Sequence, residues 1–132
     1  MYTEKLTYKN FNDEEVTETF HFNLTKSELM TMEFSEYGGM INTLEEIVGT
    51  KDKQRLIKIF QRVLRDSYGK KTPDGRFEKS KELSDAFVQT AAYDIFFIRF
   101  ATDDVAAVNF IKKVFPKDLG EAAELQKLTA NA

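Results

Sequence analysis

The chain changes its hydrophobic period at one point, and that point limits what it can fold into. Phe20-His21-Phe22-Asn23-Leu24 alternates apolar and polar residues, as a strand with one buried face does. Thr25-Lys26-Ser27-Glu28-Leu29 follows at once with the spacing of a helix start. The Thr25 hydroxyl can accept from the amide of Glu28, and the Glu28 carboxylate can reach back to the amide of Thr25. A strand therefore feeds directly into a helical body.

Upstream, residues 5–11 read as a first strand with Leu6 and Tyr8 on one face. The polar tract Asn12-Asp13-Glu14-Glu15 reads as a turn. Residues 16–24 form the second strand. Val16, Phe20, Phe22 and Leu24 share one face, and Thr17, Thr19, His21 and Asn23 the other. An isolated hairpin is marginal in water, so this Phe face must pack on helices or on another chain.

Downstream the period is helical. A first helix is expected over residues 26–37, with Leu29, Met30, Phe34 and Tyr37 in its stripe and Gly38-Gly39 as its stop. A second covers residues 40–48, and a third residues 52–68, which buries Leu56, Ile57, Phe60, Val63 and Leu64 and stops at Gly69. Lys70-Lys71-Thr72-Pro73-Asp74-Gly75-Arg76 reads as a surface loop built on a Pro-Asp-Gly turn. A fourth helix follows a Ser80 cap and carries Leu83, Ala86 and Phe87. A fifth spans residues 91–101, and a sixth starts at a Thr102 cap and ends before Pro116. The expected fold is α+β and mostly helical: an N-terminal β-hairpin (residues 5–24) packed on a bundle of about five to six helices (residues 26–115). One domain spans residues 1–119, with a loose tail over 120–132.

Composition supports one aromatic core. The chain has 132 residues, 42% of them hydrophobic, with twelve Phe and five Tyr. With no Cys, disulfides and thiolate zinc sites are excluded. No apolar run approaches the ~18 residues of a membrane span, and residues 1–6 lack the apolar core of a signal peptide. A soluble intracellular protein is expected.

Charge is uneven. Residues 1–36 carry eight acids and three bases, whereas residues 51–81 carry eleven bases and four acids, a local net of +7. Such a basic middle can meet nucleic acid. No base-stacking aromatics are interleaved with these lysines, so a solvated helix face plus a lysine-rich loop is preferred.

No motif carries catalysis. His21 is the single histidine, on the polar strand face and without triad partners. Glu14-Glu15, Glu45-Glu46 and Asp103-Asp104 are adjacent pairs, and on a helix adjacent residues do not face each other. No catalytic, cofactor or metal residue is assigned. Two apolar groups remain as candidate partner surfaces. Met30, Met32 and Met40, with Phe34 and Tyr37, surround the first helix turnaround, and methionine adapts to varied apolar partners. Phe96, Phe97 and Phe100 make the fifth helix apolar beyond a one-sided stripe, so that helix is either central or partly exposed for binding.

Four phrases stand in order along the chain. They are Phe20-His21-Phe22-Asn23-Leu24-Thr25-Lys26; Ile57-Lys58-Ile59-Phe60 leading to Ser67-Tyr68-Gly69-Lys70-Lys71; Pro73-Asp74-Gly75-Arg76-Phe77-Glu78-Lys79-Ser80 leading to Glu82-Leu83-Ser84; and Phe87-Val88-Gln89-Thr90-Ala91-Ala92-Tyr93 leading to Ala101-Thr102-Asp103. Their order and spacing resemble the tail assembly chaperones of long-tailed phages of Gram-positive hosts, over residues 4–119. Where the family often has Asn-Gly before the last apolar turn, this chain has Lys112-Lys113, which is expected to lengthen the sixth helix.

The resemblance implies a non-enzymatic protein of the host cytoplasm, absent from the mature virion. It would hold the tape measure protein soluble until tail tube subunits polymerise around it. It also implies, for many members, a longer frameshifted form. Two other readings compete: a structural virion component of the tail, and, behind it, a nucleic-acid-binding regulator using the basic middle. An exposed hairpin edge can pair between chains, so a homo-oligomer fits either of the first two readings.

Overall fold

In a computed structural model, the described residues are 1–28 and 53–116. The first helix beyond Glu28, the second helix, the Met30–Met40 group and the 120–132 tail all lie outside them. The fold is α+β and mostly helical, built on the expected N-terminal antiparallel hairpin.

The hairpin pairs β1 (Tyr2–Lys9) with β2 (Glu15–Phe22), in register from Tyr2 opposite Phe22 to Lys9 opposite Glu15. β1 begins three residues before the expected start. Tyr2, Glu4, Leu6 and Tyr8 alternate inward, and Glu4 interrupts what would otherwise read as an apolar face. That carboxylate is accommodated because Arg99 donates to both its oxygens, at 2.6 and 2.8 Å, and the Tyr2 hydroxyl donates to it as well. Burial and this carboxylate push the Tyr2 phenol up to about 12.

The turn is capped by Asn10, whose Oδ1 accepts from the amides of Asn12 (2.9 Å) and Glu14 (3.0 Å), with Asp13 at φ +58°. At the other end, the Asn23 amide donates to the Ser67 carbonyl (2.8 Å) and the Leu24 amide to the Val114 carbonyl (3.0 Å). The strand thus runs into the ends of two helices before its own helix begins. The capping box is formed: the Thr25 amide donates to Glu28 Oε1 (2.9 Å) and the Glu28 amide to Thr25 Oγ1 (3.2 Å).

The described helices are α1 (Lys53–Ser67), α2 (Lys81–Val88), α3 (Ala91–Thr102) and α4 (Asp104–Val114). Ser80 caps α2 through the Leu83 amide (3.0 Å), and Thr90 caps α3 through the Tyr93 amide (3.3 Å). The cap of α4 is Asp103, not Thr102. The Asp103 carboxylate accepts from both Val105 and Ala106 amides at 3.1 Å, while the Thr102 hydroxyl is spent on the Ile98 carbonyl. α4 runs through Lys112-Lys113 to Val114. On α2, Phe87 is buried and Ala86 is exposed.

A second correction concerns residues 68–78, which are more than a loop. β3 (Tyr68–Lys71) and β4 (Phe77–Glu78) form a short hairpin around the Pro73-Asp74-Gly75 turn, and β3 pairs with β2 through His21–Gly69 and Phe22–Tyr68. The sheet has four strands in the order β1-β2-β3-β4. Gly69 does not end a helix by a left-handed conformation. It lets β4 approach: a Cβ there would lie 2.7 Å from the Glu78 carbonyl oxygen and 2.7 Å from the Phe77 ring. Gly75 supplies the positive φ, +86°, that the turn requires.

One core joins sheet and helices. The Phe22 ring meets those of Tyr2, Tyr68, Phe87, Phe96 and Phe110 at centroid distances of 5.3 to 6.3 Å. Tyr68 stacks on Phe87 at 4.2 Å, and Phe100 on Phe110 at 4.3 Å. Such offset and edge contacts add to the burial of the rings themselves.

Candidate partner-binding surface

α3 is apolar on most of its circumference, and the structure sorts its side chains by face. Ala92, Phe96 and Phe100 point into the core and are buried. Phe96 lies 5.2 Å from Phe20 and 5.3 Å from Phe22. Phe96 and Phe100 are therefore core residues, which corrects their expected place on a partner surface. At four-residue spacing both follow Ala92 onto the face that meets the hairpin.

Phe97 stands apart. It is half-buried, stacked at 6.0 Å on Tyr93, and lies on the flank next to the open stripe Asp94, Ile98 and Thr102. Ile98 is 51% exposed. Arg99, on the opposite flank, lies over the Phe96 ring at 5.4 Å while it holds Glu4. α3 is thus fixed to β1 by a charge-assisted pair on one side and presents apolar surface on the other.

Among the described residues, the most exposed large apolar side chains lie outside the sequence-based candidates: Phe11 at the tip of the β1–β2 hairpin and Val105 in the first turn of α4, 78% and 72% exposed. Phe11 is expected at the end of the first strand, but β1 stops at Lys9 and leaves it in the turn.

Four described cations of the basic middle are held in ion pairs. Arg62 pairs with Asp66 at 2.7 Å, Arg65 with Asp85, and Arg76 with Asp74 at 3.1 Å. Lys79 pairs with Glu28 at 2.6 Å. Lys58, Lys70, Lys71 and Lys81 point to solvent. His21 Nδ1 lies 3.1 Å from the Thr3 hydroxyl, and partial burial together with Lys71 holds its pKa below the usual histidine value. Among the described residues, no group of three or more acidic or histidine side chains could hold a metal ion, and no helix is long and apolar enough to cross a membrane.

Glu28 joins the start of the first helix to the segment after β4. One oxygen caps the Thr25 amide and the other accepts from Lys79. Burial pushes its carboxyl up, but Lys79 and the Thr25 amide outweigh this, and the net shift is downward. A depressed folded pKa contributes stability above the ordinary glutamate range, and that stability is lost as acid protonates the folded form. Glu28→Gln is accordingly expected to cost about 1 kcal/mol at neutral pH. The deficit shrinks toward zero as the pH falls below the glutamate range. Urea denaturation at pH 7 and pH 3 checks this, and a cost that persists undiminished in acid refutes it.

The chain is an α+β domain built on an aromatic core, with Phe11, Ile98 and Val105 exposed at its surface. The whole chain, residues 1–132, matches the sequence model of the phage tail assembly chaperones, and it belongs to that family. No curated protein and no solved structure matches it.

Proposed function

We propose that this chain binds the tape measure protein and keeps it soluble until tail tube subunits assemble around it. It does so in the host cytoplasm, without catalysis and without remaining in the mature virion. The observation that carries this reading is the family match over the full length. The helical body supports it, because covering the apolar stripes of a long helical client requires adaptable apolar surface of the kind that Phe97 and Ile98 offer. Met30, Met32, Phe34, Tyr37 and Met40 are proposed as further client-binding residues.

Co-expression with the tape measure protein, followed by pull-down and size exclusion, tests the proposal. A soluble co-eluting complex is the expected result. A tape measure protein that aggregates as it does alone refutes the reading for this form of the chain. Recovery of the chain from purified particles would favour a structural tail component instead.

A residue-level outcome follows. Phe97→Asp is expected to weaken client binding at least tenfold with an unchanged far-UV spectrum, because the side chain is only half-buried. Phe96→Asp, which buries a charge in the ring cluster, is expected to prevent folding. Unfolding of the Phe97 variant would place that residue in the core instead.

A further inference from the structure

The β1–β2 turn is more elaborate than chain reversal requires. A two-residue turn would join such strands. Here a five-residue loop, residues 10–14, is held by four hydrogen bonds that converge on Asn10: its Oδ1 takes the Asn12 and Glu14 amides, its carbonyl takes the Asp13 amide at 3.0 Å, and its amide donates to the Glu14 carbonyl at 3.0 Å. Asp13 adopts a left-handed φ of +58° to complete it. The side chain this loop carries outward is Phe11, 78% exposed. The loop and the start of β2 are acidic, with Lys9 the base that precedes the loop, opposite Glu15. Asp13, Glu14, Glu15 and Glu18 follow Phe11, all are exposed, and residues 10–18 contain no base. None of the four forms an ion pair among the described residues.

We infer that Phe11 is an aromatic anchor for a protein partner whose apolar pocket is rimmed by lysine or arginine, and that this partner is the client of the proposed chaperone function. The inference rests on that reading. An aromatic side chain held out by a pre-ordered loop loses little freedom on docking, which is what makes such residues dominate binding. The acidic ring around it selects a basic rim and speeds encounter. Pairing along the neighbouring β1 edge is opposed by Lys5 and Lys9, both exposed on that strand. This places recognition at the tip and away from the strand.

The test uses the full chain co-expressed with the tape measure protein. It compares wild type, Phe11→Ala and the triple variant Asp13→Asn, Glu14→Gln, Glu15→Gln by pull-down and by binding kinetics at low and high salt. The expected result is a tenfold or greater loss of affinity for Phe11→Ala at an unchanged melting temperature. The triple variant should associate more slowly and lose most of the salt dependence. Wild-type binding that Phe11→Ala leaves intact overturns the anchor while the chaperone reading stands. Failure of wild type to bind overturns both. Self-association of the isolated chain that Phe11→Ala abolishes, with client binding intact, would assign the anchor to a second copy and also overturn the inference.

Discussion

Phe22→Ala is expected to lower the stability of the folded chain by about 3–5 kcal/mol, the range for deleting a fully buried phenylalanine. Phe22 is completely buried and its ring touches five others, contributed by β1, β3, α2, α3 and α4. Its neighbours are held by backbone hydrogen bonds in the sheet and by caps on the helices, so they collapse only partly into the vacated volume. Against a typical total of about 5–15 kcal/mol this is a large fraction. The melting temperature should fall by roughly 10–20 °C for a domain of this size. Chemical denaturation followed at 222 nm provides the check. A loss below about 1 kcal/mol would mean that the ring cluster around Phe22 does not form as described.

Gly69→Ala carries the second large effect, about 1–3 kcal/mol from overpacking. The added methyl would meet the Glu78 carbonyl oxygen, which is backbone, as well as the Phe77 ring. A side chain can rotate away, but a carbonyl in the β3–β4 ladder moves only with its strand. The variant should therefore lose the β4 pairing specifically, seen as faster amide exchange at Lys70 and Glu78 while α3 and α4 stay protected. Gly75→Ala gives the contrast. Nothing lies within 4 Å of its added methyl, but φ is +86°, so its penalty of about 1–2 kcal/mol comes from the backbone alone. Equal exchange patterns in the two variants would refute the close-approach account of Gly69.

Where the chain's local chemistry and its tertiary contacts agree, the sequence was readable. Thr25 and Glu28, Ser80 and Leu83, and the alternation from Phe20 to Leu24 each show one pattern with one structural outcome. β1 was misplaced because Glu4 looks polar until Arg99, 95 residues away, is known to face it. β3 and β4, four and two residues long with three of them charged, carry no usable alternation, so the expected third helix takes in Tyr68 and the expected loop takes in Lys70 and Lys71. Their pairing depends on β2 lying alongside, which no local pattern announces. The cap of α4 was shifted by one residue because Thr102 and Asp103 are both good caps, and only the backbone turn decides between them. For the candidate surface, an all-apolar α3 could not say which rings turn inward. The hairpin's position settles that for Phe96 and Phe100 and leaves Phe97 at the margin.

The first strand of this protein completes its packing with nearly the last helix: Tyr2 lies 5.0 Å from Phe110, and Glu4 is held by Arg99. During synthesis, residues 1–22 leave the ribosome long before residues 96–114 exist. At about 5–20 residues per second, the interval is roughly 5–20 s. The hairpin can close in microseconds, yet the Phe96 and Phe110 rings that pack on its Phe face are still missing through that interval. A protein that belongs to an assembly chaperone family thus passes through its own synthesis with part of an aromatic sheet face still waiting for its cover.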